Sequence, residues 1–529
     1  MSKHVRATAD LFWMVAIIWI GFALRIAQLG KPSLWLDEAI TWLIVSAPLR
    51  EGVDRMIMDV VQPPLHYLLL RPIAALGQSE FALRFPSVIF GVASIPLMYR
   101  LAREMAGTPG RERRVGLLAA VLLAANPFHV WFAREARNYE LVFLLSVAIL
   151  YMFHRVVRDQ RGWLWFTVAS ALAYLTHYFA LFLALVQLIY YLLSFRASHG
   201  SFGRWLAAQI LAGIPLMLWV VAVVSEETAR GALGWIPQVS PYAILFTLWN
   251  FAILYVENNL WWKVVGLPFF ASVLVLGLRA RPQRMLLILW LFLPCLIILL
   301  LSRVMGYGFY VDRYFILSLP AFVLLLARGL GQVRYKPLLY LLAVCLLVVS
   351  TAATVRIYSA PELAKQDWRE AMSIVASNWQ PGDLKVVETP AGAIPAAYYL
   401  SGHEGRKADP PYPEGSFWLA VLGRSEVEPW TYLSPRAEED PWPAILDLYT
   451  PQRVWLIVTN PSYSNHRVSS GLTFDLFQRP LPIAAGWLTT HRDQILKQYI
   501  LPGITVVLID TASGSGLILG NAHSVRIGD

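Results

Sequence analysis

The chain has 529 residues, 57% of them hydrophobic and only 15% charged, with a mean hydropathy of +0.53. A water-soluble protein carries about a quarter charged residues, so this composition excludes an ordinary soluble enzyme and puts most of the chain in lipid. The net charge of +10 does not point to nucleic acid, because Arg and Lys gather in short stretches between apolar runs, the pattern of cytoplasmic loops.

Spanning helices need about 20 mostly apolar residues. On that rule spans fall near 11–29, 84–105, 115–133, 139–157, 163–177, 179–195, 205–224, 260–278, 284–302, 313–329 and 337–356, about eleven in all. The first follows a weakly basic N-terminus, lacks a small-residue cleavage site and reads as a retained helix. Stretches 64–76 and 241–256 are short or interrupted and read as interfacial or re-entrant helices. Cys295 and Cys345 lie inside apolar runs with no second ligand at metal-binding spacing, so no disulfide framework or zinc site follows.

If Lys3 and Arg6 are cytoplasmic, the inner loops carry Arg100, Arg103, Arg111, Arg113 and Arg114; Arg155, Arg158 and Arg161; Arg196 and Arg204; Arg279, Arg281 and Arg284; and Arg328, Arg334 and Lys336. Every one of these loops is basic, whereas the opposite loops are mixed in sign. An odd number of spans then puts the C-terminus outside. Beyond Arg356 the apolar runs shrink to strand length, at 384–388, 417–422, 454–458 and 504–509, with a helical pattern over 362–379 and turn signals at Pro410, Pro411, Pro413 and Pro461. The expected fold is a polytopic α-helical membrane protein with a C-terminal soluble mixed α/β domain. Residues 1–358 form the transmembrane domain, with outer-face loops 30–83 and 126–140, and 359–529 the extracytoplasmic domain. Trp368, Trp379, Trp418, Trp430, Trp442, Trp455 and Trp487 fit core packing or interface anchoring better than stacking on sugar rings.

Polar residues beside the spans cluster at the expected outer ends, where burying them needs a reason. They form four clusters: Asp37 and Glu38 followed by Gln62 to Tyr67, with His66; Asn126 to Tyr139, with His129, Arg134, Glu135 and Arg137; Thr176-His177-Tyr178; and Tyr310 to Tyr314, with Asp312 and Arg313. Each cluster also has a structural reading. The acidic pair suits a helix start, the arginines suit headgroup contacts, the histidines suit interfacial hydrogen bonds, and Asp312 can pair with Arg313. Four clusters on one side are nevertheless explained more economically by one pocket. Such a pocket suits group transfer from a lipid-carried donor. A hydroxyl nucleophile needs a carboxylate base, which Asp37 or Glu135 supplies, and a departing phosphate needs cations, which Arg134, Arg137 and Arg313 supply.

These residues resemble the membrane-embedded glycosyltransferases of the GT-C class, in the bacterial branch related to protein O-mannosyltransferases and aminoarabinose transferases. The likeness rests on Leu34-Trp35-Leu36-Asp37-Glu38-Ala39, Gln62-Pro63-Pro64-Leu65-His66-Tyr67, Ala82-Leu83-Arg84-Phe85-Pro86-Ser87, Ala133-Arg134-Glu135-Ala136-Arg137-Asn138-Tyr139, Thr176-His177-Tyr178 and Asp312-Arg313-Tyr314, and covers most of the first 360 residues. It implies a polyprenyl-phosphate sugar donor and an inverting displacement in one step. Asp37 and Glu135 would be catalytic, with Asp37 the base. Glu38, His66, Arg134, Arg137, Tyr139, His177 and Arg313 would contact substrate, the arginines at the lipid phosphate. Some members use a divalent metal; the Arg-Glu-Ala-Arg stretch here lacks a paired Asp-X-Asp and disfavours an obligatory one. The stretch Lys365-Gln366-Asp367-Trp368-Arg369 also resembles family members, and no chemistry is read from it.

The implied setting is the inner (plasma) membrane of a bacterium, with membrane lipids, a lipid-linked sugar donor and a glycan, lipid or protein acceptor as partners, and no nucleic acid. Two alternatives stand beside this reading. A lipid-linked polysaccharide polymerase or ligase would favour Arg- and His-rich outer loops over an acidic one. A transporter or flippase would place ionisable groups deep in several spans and show two related halves, neither of which is seen. The sugar, the acceptor and the oligomeric state are not written in the sequence.

Overall fold

In a computed structural model, the structure describes residues 3–59, 61–224, 239–255, 266–306, 308–359, 364–387, 390–400, 452–459, 494–502, 504–511 and 524–526. Up to residue 359 it is helical. The helices are α1 (Lys3–Ile26), α2 (Leu36–Ser46), α3 (Leu49–Met58), α4 (Leu65–Leu76), α5 (Glu80–Glu104), α6 (Glu112–Ala124), α7 (Pro127–Phe132), α8 (Tyr139–Asp159), α9 (Trp163–Tyr174), α10 (Leu181–Leu193), α11 (Phe195–Val224), α12 (Ala243–Ile253), α13 (Leu267–Leu278), α14 (Arg284–Met305), α15 (Leu319–Gln332) and α16 (Lys336–Ser359). Among the described residues, α5, α8, Ser201–Val223 of α11, α14, Asp312–Gln332 and α16 are long and apolar enough to cross a membrane. Exposed large side chains such as Trp19, Leu164, Trp165, Leu218, Val221, Leu300 and Val348 project from α1, α9, α11, α14 and α16, where lipid in place of water makes them favourable.

Two expected spans differ in detail. The run 115–133 is two helices, because Asn126 accepts a hydrogen bond from the His129 N–H (2.9 Å) and Pro127 follows it, a start signal that opens α7 afresh. The run 313–329 begins as a 3-10 helix, Asp312–Ser318, before α15. The stretch 64–76 contains α4 and 241–256 contains α12, and the first residues of the expected span 260–278 lie outside the described ones.

α15 sits at the centre of the bundle, buried along almost its whole length. Its contact with α13 is backbone on backbone: a Cβ added to Gly329 would lie 2.0 Å from the Val273 carbonyl oxygen, and one added to Gly277 would lie 2.1 Å from that of Leu325. Small residues permit this close approach where lipid gives no hydrophobic drive for helices to associate.

α5 marks the two ends of the bundle. At its C-terminal end the basic loops meet: Arg111 donates to the Gly331 carbonyl, Gln332 to Thr108 Oγ1 (2.8 Å), Arg328 to the carbonyls of Ala280 (2.7 Å) and Pro282 (2.8 Å), and Arg113 pairs with Asp10. At its N-terminal end lie the acidic loop and the C-terminal region.

That region holds α17 (Trp368–Asn378), β1 (Asp383–Val387), α18 (Pro390–Leu400), β2 (Arg453–Thr459), β3 (Ile495–Leu501), β4 (Ile504–Asp510) and β5 (Ser524–Arg526). The strands form one mixed sheet ordered β1-β2-β4-β3-β5, with β1 parallel to β2, β4 antiparallel to β2 and β3, and β5 parallel to β3. Trp368 and Trp455 are fully buried among Val387, Ile457, Val506 and Leu508, so they are core residues. Trp379 lies under Lys385, 4.3 Å from ring centre to ammonium. The expected strand 417–422 and Trp418, Trp430, Trp442 and Trp487 lie outside the described residues.

Candidate active site

The segment before α2 is anchored by Leu34, which is fully buried. Trp35 occupies the N-cap position without a side-chain cap, and Asp37 and Glu38 fall in the first turn, where the positive end of the helix favours carboxylates. The rotation between successive helical residues then sends the two side chains into different surroundings.

Asp37 remains 18% exposed and faces two guanidiniums, with Arg137 Nη2 3.9 Å and Arg313 Nη2 3.8 Å from Oδ2. Both separations exceed a direct hydrogen bond. Arg137 is held from behind, donating to the Asp37 carbonyl (3.2 Å) and to Thr41 Oγ1 (3.4 Å). Arg313 lies over the Trp35 and Tyr314 rings, at 5.8 and 5.5 Å, within cation–π range. The Asp312 carboxylate accepts from the Asn250 amide (2.7 Å) and from the Arg313 backbone N–H (2.7 Å).

Glu38 is fully buried. Arg84 of α5 forks onto both its oxygens at 2.7 Å, the Ala136 N–H donates at 2.9 Å, and Lys365 Nζ lies 2.9 Å away. Burial alone would raise its carboxyl, but Arg84 and Lys365 outweigh that and hold it at about 2. Expected from sequence to contact substrate, Glu38 instead ties the first loop to the second, since every approach to its carboxylate is already filled.

Glu135 stands beside it, 3% exposed, with Oε1 3.5 Å from Lys365 Nζ. Its Oε2 has no hydrogen-bond partner among the described residues. Burial pushes the Glu135 carboxyl up to about 7, opposed by Lys365 and reinforced by Glu38.

The remaining expected residues divide. Tyr139, the first residue of α8, is buried against Phe132 and lies in the field of Arg313, Arg137 and Asp37. His177 packs edge-on against Tyr314 at 5.3 Å, and its Nδ1 accepts from the Phe179 N–H (3.1 Å), which commits that nitrogen to a cap. His66 is buried within reach of the Ala136 backbone. Arg134 points elsewhere. It donates to the carbonyls of Arg25 (3.3 Å), Ala27 and Gln28 (3.5 Å), at and just past the C-terminal end of α1, and stacks on Tyr358 at 4.6 Å. Its expected place at the phosphate is therefore corrected: it fastens the second loop to α1.

A second buried network supports that loop from below. Arg25 donates to the carbonyls of Gly21 (2.7 Å), Ala124 (3.0 Å) and Leu123 (3.2 Å) and meets His129 Nδ1 at 2.9 Å, while His129 Nε2 lies 3.1 Å from Glu140 Oε2 and 3.1 Å from Ser94 Oγ. His129 and Glu140 flank residues 133–138, so both ends of the loop bearing Glu135 and Arg137 are pinned.

This fold has a counterpart among solved structures. ArnT from Cupriavidus metallidurans in the apo state matches over 94% of this chain and 98% of its own, with a TM-score of 0.57 at 13% identity. The chain has the fold of ArnT. The same enzyme bound to undecaprenyl phosphate matches this chain over 98% of its length and 100% of the other, with a TM-score of 0.52 at 12% identity. A model of the family described as dolichyl-phosphate-mannose-protein mannosyltransferase matches residues 61–222, the part of this chain that contains Arg84 and residues 133–138. No curated protein matches by sequence. The resemblance read from the sequence is borne out at the level of fold, and the family model supports it over residues 61–222.

Two residues of the pocket escaped sequence reasoning. Arg84 lies in a stretch quoted for its resemblance, but an Arg inside an apolar run names no partner. Lys365 also lies in such a stretch, some 330 residues from Glu38, and only the fold brings them together. The donor set does not suit a divalent cation: Asp37 faces two guanidiniums, Glu38 and Glu135 face Lys365, and among the described residues no three His, Cys, Asp or Glu side chains converge.

Proposed function

We propose that this protein transfers a sugar from a polyprenyl-phosphate-linked donor to an acceptor hydroxyl, on the extracytoplasmic side, by a single inverting displacement. The observation that supports this most directly is the convergence of Arg137 and Arg313 on Asp37, each at a distance longer than a hydrogen bond. The acceptor O–H gives its proton to the Asp37 carboxylate as its oxygen forms a bond to the anomeric carbon. The bond from that carbon to the phosphate oxygen breaks with its electron pair, and the charge so released falls to the two guanidiniums, whose planar forks match phosphate oxygens. Such positioned cations act where charge develops and need no reorganisation at the moment of reaction. The mixed-sign outer loops and basic inner loops support the extracytoplasmic side, and the ArnT structure with undecaprenyl phosphate supports the donor class by analogy of fold.

The test is purified protein in nanodiscs, supplied with a panel of polyprenyl-phosphate sugars and with hydroxyl acceptors of glycan, lipid and protein type. Release of free polyprenyl phosphate is expected with at least one pair and is expected to survive EDTA, because no step runs through a metal. No release from any donor would contradict the donor class. Release abolished by EDTA and restored by Mg²⁺ or Mn²⁺ would contradict the metal-free step.

A further inference from the structure

We propose that Lys365 makes the C-terminal region a working part of the active site: its ammonium is the counter-ion that serves Glu135, and docking of that region on the first loop holds it there. The proposal deepens the reading above by naming what governs the second acidic residue of the same pocket.

The charges pair in a definite way. Arg84 forks onto both oxygens of Glu38 at 2.7 Å, which leaves that pair neutral. Lys365 also touches Glu38, at 2.9 Å, but its positive charge is then available to Glu135, 3.5 Å away. The other charged groups acting on Glu135 are Glu38, Arg313 and Asp37. A buried carboxylate with one oxygen lacking a hydrogen bond is costly to ionise without a nearby cation. Lys365 is itself only 8% exposed at its side chain, and Trp35 lies beneath it, 5.8 Å from ring centre to ammonium.

Lys365 does not belong to a helix that would fix its position. It sits in the segment leading into α17, and the contacts that hold that segment come just after it. Arg369 donates to the carbonyls of Lys31 (2.9 Å) and Gly30 (3.0 Å) and to Glu80 Oε1 (2.5 Å). The Arg369 N–H donates to Ser33 Oγ and Ser33 Oγ donates to Asp367 Oδ1, both at 3.2 Å. From α18, the Tyr399 hydroxyl donates to Glu80 Oε1 (2.8 Å) and accepts from the Leu34 N–H (2.7 Å). The same short stretch, 30–34, therefore receives the C-terminal region and leads directly into Asp37.

The experiment needs no sugar donor, so its failure is separable from failure of the proposed reaction. Infrared difference spectra of the full-length protein in nanodiscs are recorded across pH, and the Glu135 carboxyl band is identified by its loss in Glu135→Gln. In the parent protein it is expected to titrate near pH 7. In Lys365→Met the midpoint is expected to rise by about one pH unit or more, tenfold in proton affinity, while Lys365→Arg stays near the parent value. Arg369→Ala, which keeps Lys365 but loosens the docked segment, is expected to shift the midpoint in the same direction by less, and it carries the test should Lys365→Met fail to fold. An unchanged or lowered midpoint in Lys365→Met would overturn the counter-ion role. An unchanged midpoint in Arg369→Ala would overturn the link to docking.

Discussion

At the scale of single residues, two arginines three positions apart have opposite duties. Arg137 faces Asp37, whereas Arg134 is spent on the carbonyls that end α1 and on the Tyr358 ring. Arg137→Gln is accordingly expected to weaken binding of a polyprenyl phosphate tenfold or more, the scale of a lost charge-assisted hydrogen bond of about 1.5–3 kcal/mol, with little change in thermal stability. Arg134→Gln is expected to lower the melting temperature, with phosphate affinity in the surviving folded fraction close to that of the parent. Calorimetric titration with undecaprenyl phosphate and a thermal-shift assay separate the two, and the reverse pattern would reassign them. Sequence could not make this distinction, because both residues sit in one short loop with the same charge and the choice is made by α1, more than 100 positions away. Glu38 illustrates the same limit: adjacent to Asp37 in the chain, it is separated from it in duty by the rotation of one helical residue toward Arg84.

At the scale of elements, most of what the sequence offered was periodicity and punctuation, and these carried well where a helix is long and apolar. The strands β1, β2 and β4 fall on the expected apolar runs, and α17 lies within the expected helical stretch. β3 was not expected, because Lys497 and Gln498 interrupt its apolar pattern at a partly exposed position. The span expected over 115–133 breaks at Asn126-Pro127, a capped helix start inside an apolar run long enough to read as one helix. The contact of α13 with α15 shows what a glycine can mean in such a bundle. Gly329→Val puts a branched side chain where even a Cβ would lie 2.0 Å from the Val273 carbonyl oxygen, and the two backbones have to separate. Loss of monodisperse protein in size-exclusion chromatography is expected, whereas Gly203→Ala, which has open space around it, is expected to behave as the parent. Equal behaviour of the two variants would show that the close approach is not needed.

At the scale of the whole molecule, the arrangement is a bundle with two unlike ends. One gathers the basic loops around Arg111, Arg328 and Gln332. The other gathers Asp37, Glu38, Glu135, Arg137 and Arg313, and receives the C-terminal region through Arg369 and Tyr399. The clustering of polar residues from distant spans was legible in the sequence as an economy argument. The participation of the C-terminal region was not, since nothing in 364–369 marks a partner some 330 positions earlier. The account rests on Asp37 accepting the acceptor's proton while the arginines hold the lipid phosphate, and Asp37→Asn separates these duties. The decisive measurement is single-turnover transfer by Asp37→Asn in nanodiscs, alongside its affinity for the same polyprenyl-phosphate sugar. Donor affinity within about threefold of the parent with transfer slowed by about 10³ or more is the predicted result, the scale expected for loss of a general base together with its positioning of the nucleophile. Transfer at the parent rate would contradict it.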